Sequence, residues 1–487
     1  MAKKHLIFYI IFFLLVQTVI AAPVLNGFFI QPTLGYGVVG WNRNSELVFD
    51  SQQKYDEWVK TMADIGAEIL IYQWSTHHQR DQQWFAQAWG AHATADFAFY
   101  DIGEGIINDI PTQSWTSPTT WPGSDVEPLR RALDACEKNG VSLWIGLYLN
   151  EHPESYNWWE AVSNSDIMAK DSAIIEHHIS RSLFVIDELS EKFAAHPSFA
   201  GFYYSIEIAN VAFIPERNWP YLAHILDIVA QRVHEKAPGA RLSVSPFFNT
   251  SLASAEEYGK MWEYALQNSA LDVIIIQDGA GVDPHTLTQS TNLISPYYAA
   301  VRDAAISAGT SFWANPESFT NEGNRMNPQF RPADIDQFTR QLEIASVYTD
   351  TLVSFSFQYM DPNPFHTLPA GSYTPPGLDE AKERLRLYND YKRYYESVHT
   401  GVSSPVKSAK HSVNRRGNVL SVHSPFPVKA TIASLSGRIV EVSDLGSGEV
   451  YYDIGAVLKN KPNGVYVVQF RAGEVLHSFR FVNGRVK

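Results

Sequence analysis

Residues 272–282 read DVIIIQDGAGV, and the reading of this stretch decides the fold. Val273 to Ile276 are apolar without alternation, and a polar, glycine-bearing turn follows at Asp278, Gly279 and Gly281. A strand that is apolar on both faces belongs in a parallel sheet covered by helices, not in a half-wet antiparallel one. Working outward, similar short runs occur at 27–31, 68–73, 142–149, 201–206, 241–245, 311–315 and 352–357. Longer stretches with helical spacing separate them, at 51–65, 125–139, 172–195, 218–236, 254–268, 287–308 and 332–347, with an eighth at about 378–398. Pro332 in RPADIDQF marks the opening of one helix, and Gly140 in EKNGVSL marks the close of another. Eight strand–helix pairs in this length predict an α/β (β/α)8 TIM barrel over residues 22–400.

The two ends read differently. Lys3 and Lys4 precede an almost wholly apolar run at 6–20, then Ala21, Ala22 and Pro23, the pattern of a signal peptide over residues 1–21 cut after Ala21. The run is shorter than the roughly 20 residues of a membrane-spanning helix, so no stable membrane insertion is expected. The chain has one cysteine, Cys136, which excludes an internal disulfide; its helical setting predicts a small buried apolar residue. Residues 401–412 read as a linker, and the short alternating runs of 413–487 predict a β-sandwich. Runs such as NGVYVVQF (463–470) and SFRFV (478–482) resemble C-terminal sorting domains of secreted bacterial proteins, including those of type IX secretion. That resemblance implies the secretion machinery as a partner.

Charge narrows the partners. Residues 401–487 hold 12 Lys/Arg against 5 Asp/Glu, a net of +7, so residues 1–400 carry −21 of the chain's −14. The acidic barrel argues against nucleic acid and strongly anionic polysaccharide. Thirteen tryptophans in such a body suit neutral carbohydrate, whose apolar faces stack on rings and whose hydroxyls bond to carboxylates.

In this fold the catalytic groups sit at the C-terminal ends of the strands. Glu207 follows strand 4 and Glu317 follows strand 7, where a glycosidase barrel needs one carboxyl to protonate the leaving oxygen and another to attack or activate water. Gln31, Gln73, Trp74, Tyr148, Asn150, Gln277, Asp278, Trp313, Asn315 and Tyr359 fall at or near strand ends and are the expected substrate-binding residues. Asp278 reads equally as a turn-former, and Trp313 equally as core. The apolar FYYSI before Glu207 predicts a raised pKa and a general acid. Asn315 next to Glu317 predicts an amide that favours the ionised form and a nucleophile or base. The insertion at 75–124, with Trp84, Trp89, Trp115 and Trp121, reads as a lid or substrate wall. His77 and His78 are adjacent and His366 stands alone, so no metal site is expected. With no dinucleotide or phosphate-binding glycine motif either, no cofactor is expected.

The strings NGFFIQP, EILIYQW, LWIGLYL, GFYYSIEI, DVIIIQDGAGV, FWANPESF and LVSFSFQYMDP together resemble the DUF4434 family of secreted (β/α)8 proteins over about residues 25–395. The resemblance implies a glycosidase-like barrel with Glu207, Asp278 and Glu317 at motif positions. It further implies that strand 4 supplies the acid/base and strand 7 the nucleophile. The expected activity is that of a secreted glycoside hydrolase on a neutral poly- or oligosaccharide. The alternative is a non-catalytic glycan-binding or cell-surface barrel.

Overall fold

The computed structural model describes residues 22–30, 51–78, 97–107, 110–111, 127–150, 157–158, 173–283, 291–324, 327–364 and 375–400 of the first part of the chain. In the last part it describes 412–416, 419–434, 439–459, 461, 464–472 and 475–483. The chain divides into two compact units, Met1–Arg393 and Tyr394–Lys487.

In the first unit the eight barrel strands are β1 (Gly27–Ile30), β2 (Ile69–Tyr72), β3 (Ser142–Gly146), β4 (Phe199–Tyr204), β5 (Arg241–Val244), β6 (Val273–Gln277), β7 (Ser311–Asn315) and β8 (Val353–Ser354). They form one sheet in the order β7-β6-β5-β4-β3-β2-β1-β8, parallel throughout. A parallel bridge between Ala314 and Leu352 joins β8 to β7 and completes the ring. The helices are α1 (Gln52–Ala63), α2 (Pro128–Asn139), α3 (Ala173–Phe193), α4 (Trp219–Lys236), α5 (Ala255–Gln267), α6 (Thr291–Ala308), α7 (Ile335–Ser346) and α8 (Glu380–Thr400). Their ends have local causes. Ser254 and Glu257 make a reciprocal capping box at α5, and Gly140, at φ 69°, takes the left-handed residue that ends α2.

Strand register sorts the barrel interior into a floor and a mouth. Phe29, Ile71, Trp144, Tyr203, Ile275 and Trp313 share the inward face and form one buried cluster. Burying each such side chain stabilises by about 1.5–3 kcal/mol. Side chains two residues further along a strand fall on the same face. That next layer is Gln73, Gly146, Ser205, Ser245, Gln277 and Asn315, so an apolar floor gives way to a polar mouth.

Three boundaries depart from the sequence reading. Pro332 does not open a helix: it ends the short strand Phe330–Pro332, which pairs with Phe319–Asn321, and α7 begins at Ile335 after Asp334. The eighth strand is only two residues long, because the chain turns into a 3-10 segment at Phe357–Tyr359. The third strand leaves the barrel at Gly146. Tyr148–Asn150 pairs instead with Thr76–His78, which also pairs with Phe97–Ala98, so the start of the 75–124 insertion is sheet. Trp84, Trp89, Trp115 and Trp121 lie outside the described residues.

In the second unit, β9 (Ser412–Arg416), β10 (Val419–Ser434), β11 (Ile439–Asp453), β12 (Gly464–Ala472) and β13 (Val475–Asn483) form one antiparallel sheet. β10 pairs with β11 along one edge and with β9 and then β12 along the other. Among the described residues no helix is long and apolar enough to cross a membrane.

Candidate active site

All eight strands point their C-terminal ends to one face, and the turns after β6 and β7 meet there. Glu317, two residues beyond β7, is 3% exposed. Its Oε2 accepts hydrogen bonds from the backbone N–H groups of Gly281 (2.6 Å) and Val282 (3.2 Å). Those donors belong to the turn after β6, where Gly279 at φ 67° takes a conformation that favours glycine. Gly281 must lack a side chain for a different reason. A Cβ there would sit 2.8 Å from Glu317 Oε2 and 2.7 Å from the Phe319 ring.

Asp278 holds this arrangement from behind. Its Oδ1 accepts from the N–H groups of Ala280 (2.9 Å) and Glu317 (3.4 Å), and its Oδ2 accepts from Gln341 Nε2 (2.7 Å). Gln341 reaches in from α7 and also donates to the Glu317 carbonyl (3.0 Å). Both Asp278 oxygens are thus committed within the protein and the residue is 3% exposed. The structure places Asp278 as a brace for Glu317 rather than as the substrate contact expected from sequence.

The electrostatics follow from burial. Removal from water, then the neighbouring Asp278 charge, pushes the Glu317 carboxyl well above the usual carboxylate range. The Gly281 and Val282 N–H groups oppose this rise, and the Glu207 charge adds to it. Burial raises Asp278 to about 7, against the pull of its hydrogen-bond donors. The expected ionising amide is absent. Asn315 Oδ1 accepts from the Phe355 N–H (2.7 Å) and its Nδ2 faces Ser245 Oγ (3.4 Å), so its bonds tie strand ends together and do not reach the Glu317 carboxyl.

Glu207 lies three residues beyond β4 and is half-buried. The Trp158 indole N–H donates to its carbonyl (2.6 Å), and Ser205 Oγ donates to the Leu147 carbonyl (2.9 Å). Its charge acts on both Glu317 and the buried Tyr203 phenol, so the two glutamates share one electrostatic neighbourhood.

The other expected contacts divide. Gln277 Nε2 donates to the Ser245 carbonyl (2.8 Å) at the mouth. Gln73, 8% exposed, presents a buried Oε1 with no hydrogen bond among the described residues, and Trp74 Nε1 does the same beside the His77 ring at 4.6 Å. Tyr359 stacks on Phe319, with ring centres 4.8 Å apart. Three residues are not open to a ligand. Tyr148 is fully buried with its hydroxyl 3.3 Å from His177 Nε2, and Asn150, two residues further on, is fully buried as well. Trp313 takes its place in the barrel floor, edge-on to Trp144 at 5.3 Å and 5.5 Å from the Arg241 guanidinium. Gln31 lies outside the described residues, as does His366.

Sequence reading missed Gln341, Phe319 and the Gly281–Val282 amides. Gln341 left a visible signal: it is a polar residue in register with Phe338, Leu342 and Ala345 on the buried face of α7. The amides left none, because any residue type supplies them.

A parallel eight-stranded barrel with carboxyl-bearing strand ends on one face is a TIM-type barrel of glycosidase-like fold. Within that class the chain belongs to the family described as a domain of unknown function, DUF4434, whose model matches residues 25–366. No curated protein matches it in sequence. Among solved structures it is similar to a presumed alpha-L-fucosidase from Bacteroides thetaiotaomicron, at 17% identity and a TM-score of 0.51 over 78% of this chain and 96% of that one. An endo-beta-1,4-mannanase from Thermotoga petrophila is 11% identical, with a TM-score of 0.46 over 94% and 97% of the two chains. At these identities the likeness is one of fold.

Proposed function

We propose that the barrel is the catalytic domain of a secreted glycoside hydrolase that cleaves a neutral poly- or oligosaccharide between Glu207 and Glu317. The observation that carries this reading is the placement of two glutamates after strands 4 and 7, at the same end of the parallel barrel. The net negative barrel disfavours anionic glycans. Gln73 Oε1 and Trp74 Nε1, which have no hydrogen bond among the described residues, suit sugar hydroxyls.

We assign the pair roles opposite to those expected from sequence, because burial and the neighbouring Asp278 favour the protonated form of Glu317. Glu317, buried and beside Asp278, is the carboxyl that holds a proton. Its Oε2 is occupied by two amides, which leaves Oε1 for that proton. Glu317 therefore protonates the glycosidic oxygen as the C–O bond breaks. Glu207, half-buried, is the carboxylate that attacks the anomeric carbon or takes a proton from water. A carboxyl separation of about 5 Å gives retention and about 6.5–9.5 Å gives inversion.

Single variants test the roles. Glu317→Ala keeps most of its rate on a substrate with a good leaving group and loses about 10²–10⁴-fold on a poor one. Glu207→Ala loses activity on both and regains part of it with added azide. The opposite pattern restores the sequence-based roles. A wild-type protein that binds glycan without releasing reducing ends makes the barrel a binding protein. Secretion is part of the same proposal, resting on the basic and apolar residues 3–22 and on the sorting-like runs of the C-terminal unit. Export of a fusion carrying residues 1–30, and its loss when the apolar run is interrupted by charge, is the check.

A further inference from the structure

The strands that carry the two glutamates, β4 and β7, are separated in the ring by β5 and β6, so residues just beyond β5 lie on the arc that joins Glu207 to Glu317. There the chain runs Ser245, Pro246, Phe247, Phe248, Asn249. The two phenylalanines face opposite ways. Phe248 stacks on Tyr297 of α6, with ring centres 4.3 Å apart and planes 4° from parallel, and lies 5.9 Å from Tyr258 of α5. It belongs to the helix layer outside the barrel. A parallel bridge from Ala209 to Phe247 shows that the chain is still extended there, and successive side chains of an extended segment point to opposite sides. Phe247 therefore faces the mouth, in step with Ser243 and Ser245, and it is only half-buried.

The backbone beneath this ring is held on both sides. The Phe247 N–H donates to the Ile208 carbonyl (3.1 Å), and the Tyr258 hydroxyl donates to the Phe247 carbonyl (3.2 Å). Asn210 closes the same seam. Its Nδ2 donates to the Asn249 carbonyl and its Oδ1 accepts from the Asn249 N–H, both at 3.1 Å. The segment after β5 is thus tied to the segment after β4, in which Ile208 directly follows Glu207. An apolar ring left partly in water gains free energy when an apolar surface covers it. Its surroundings are polar. Gln277, beyond it on the same arc, spends Nε2 on the Ser245 carbonyl (2.8 Å) and keeps Oε1 as an acceptor. One fixed ring among hydrogen-bonding groups matches a pyranose, which has a face of C–H groups and a rim of hydroxyls. Tyr148 and Trp313, two of the aromatics expected from sequence to contact the substrate, are closed off in the interior.

We propose that Phe247 is the stacking platform for a pyranose unit bound between Glu207 and Glu317. The inference rests on the reading of the mouth as a site for neutral carbohydrate, and it names the surface on which the sugar lies.

The test uses the full chain, with cellopentaose, mannopentaose and maltopentaose as probes. Binding is read by calorimetry in the Glu207→Gln, Glu317→Gln background, which keeps the probe intact, and cleavage by new reducing ends in the wild-type background. Phe247→Leu keeps an apolar side chain but loses the ring face. It weakens binding about tenfold and raises KM by a like factor with kcat nearly kept. Phe247→Tyr keeps the ring and binds as the parent does. Phe247→Met, with a flexible apolar side chain, takes the place of Phe247→Leu if that variant does not fold. Binding that the ring-deleting variant leaves unchanged overturns the proposal, and so does a loss shared equally with Phe247→Tyr. A probe that binds and is never cleaved ends the glycosidase reading, while the binding arm still decides the platform. If no probe binds, the proposal falls.

Discussion

The two halves of the barrel mouth are built on opposite plans. After β6 and β7 the carboxylates are bound from within. Asp278 accepts from Ala280, Glu317 and Gln341, and Glu317 accepts from two consecutive amides. After β2, four consecutive residues place buried polar atoms with no hydrogen bond among the described residues: Gln73 Oε1, Trp74 Nε1, Ser75 Oγ and Thr76 Oγ1. A buried polar atom left unbonded costs about 1–3 kcal/mol. One half therefore fixes its carboxylates in hydrogen bonds, and the other leaves polar atoms without them. On the function proposed above, the first arc is the catalytic one and Gln73 and Trp74 on the second are candidates for binding, so each arc can be altered alone.

Outside the two glutamates, the largest effect should come from the brace. Asp278→Asn keeps an Oδ1 acceptor for Ala280 and Glu317 but turns an NH2 group toward the Gln341 donor. Turnover should fall about 10–100-fold with little change in KM, because Glu317 is misplaced while the β2 half is untouched. The same variant changes the dependence of stability on pH. Asp278 is raised from its ordinary 3.8 to about 7, so the folded state binds its proton more tightly than the unfolded state does. Its contribution is fully present below about pH 4 and is lost as pH rises through 7, on the order of 4 kcal/mol across that window. Denaturant melts at pH 5 and pH 8 should show the larger part of this fall, roughly 3 kcal/mol, in wild type and a smaller one in Asp278→Asn. An equal fall in both would remove Asp278 from the account.

A smaller effect is expected at Gly281. The added methyl of Gly281→Ala meets Glu317 Oε2 and the Phe319 ring below 3.0 Å, so one of them must shift. Activity should drop about tenfold, with a loss of roughly 1–3 kcal/mol for the overpacked turn. Unchanged kinetics would show that Glu317 does not need its amide clamp.

The smallest effect on fold, and the one that isolates the other arc, is at Gln73. Gln73→Leu removes a buried side-chain oxygen that has no hydrogen bond among the described residues, so stability should hold or rise by about 1 kcal/mol. Glycan binding should weaken, read as a raised KM with kcat nearly kept. A stability loss above about 2 kcal/mol would mean that Gln73 serves the fold instead.

The same two arcs explain what could be read from sequence. All eight strands and all eight helices were legible, because apolar runs and helical spacing are properties of the chain itself; β6 was expected at 272–277 and spans Val273–Gln277. The positions of Glu207 and Glu317, just beyond β4 and β7, were legible because strand ends define the face. Their environments were not. The clamp on Glu317 is made of backbone amides 35 and 36 residues away, and its brace, Asp278, is held in turn by Gln341 from α7. The amide expected to ionise Glu317 was assigned from its neighbour in sequence, Asn315, whose side chain bonds across the strands instead. Trp313 could be placed only by register, which sets it opposite Ile275 in the floor.

The central claim is that Glu207 and Glu317 together cleave a neutral glycan, and one measurement tests it most directly. Purified wild type and the Glu207→Gln, Glu317→Gln double variant are incubated with a panel of neutral polysaccharides and oligosaccharides, and new reducing ends are counted. The account predicts release by wild type on at least one glycan and none above background by the double variant, with both proteins showing the same melting cooperativity. Release by both at equal rates, or by neither on any glycan of the panel, would contradict it.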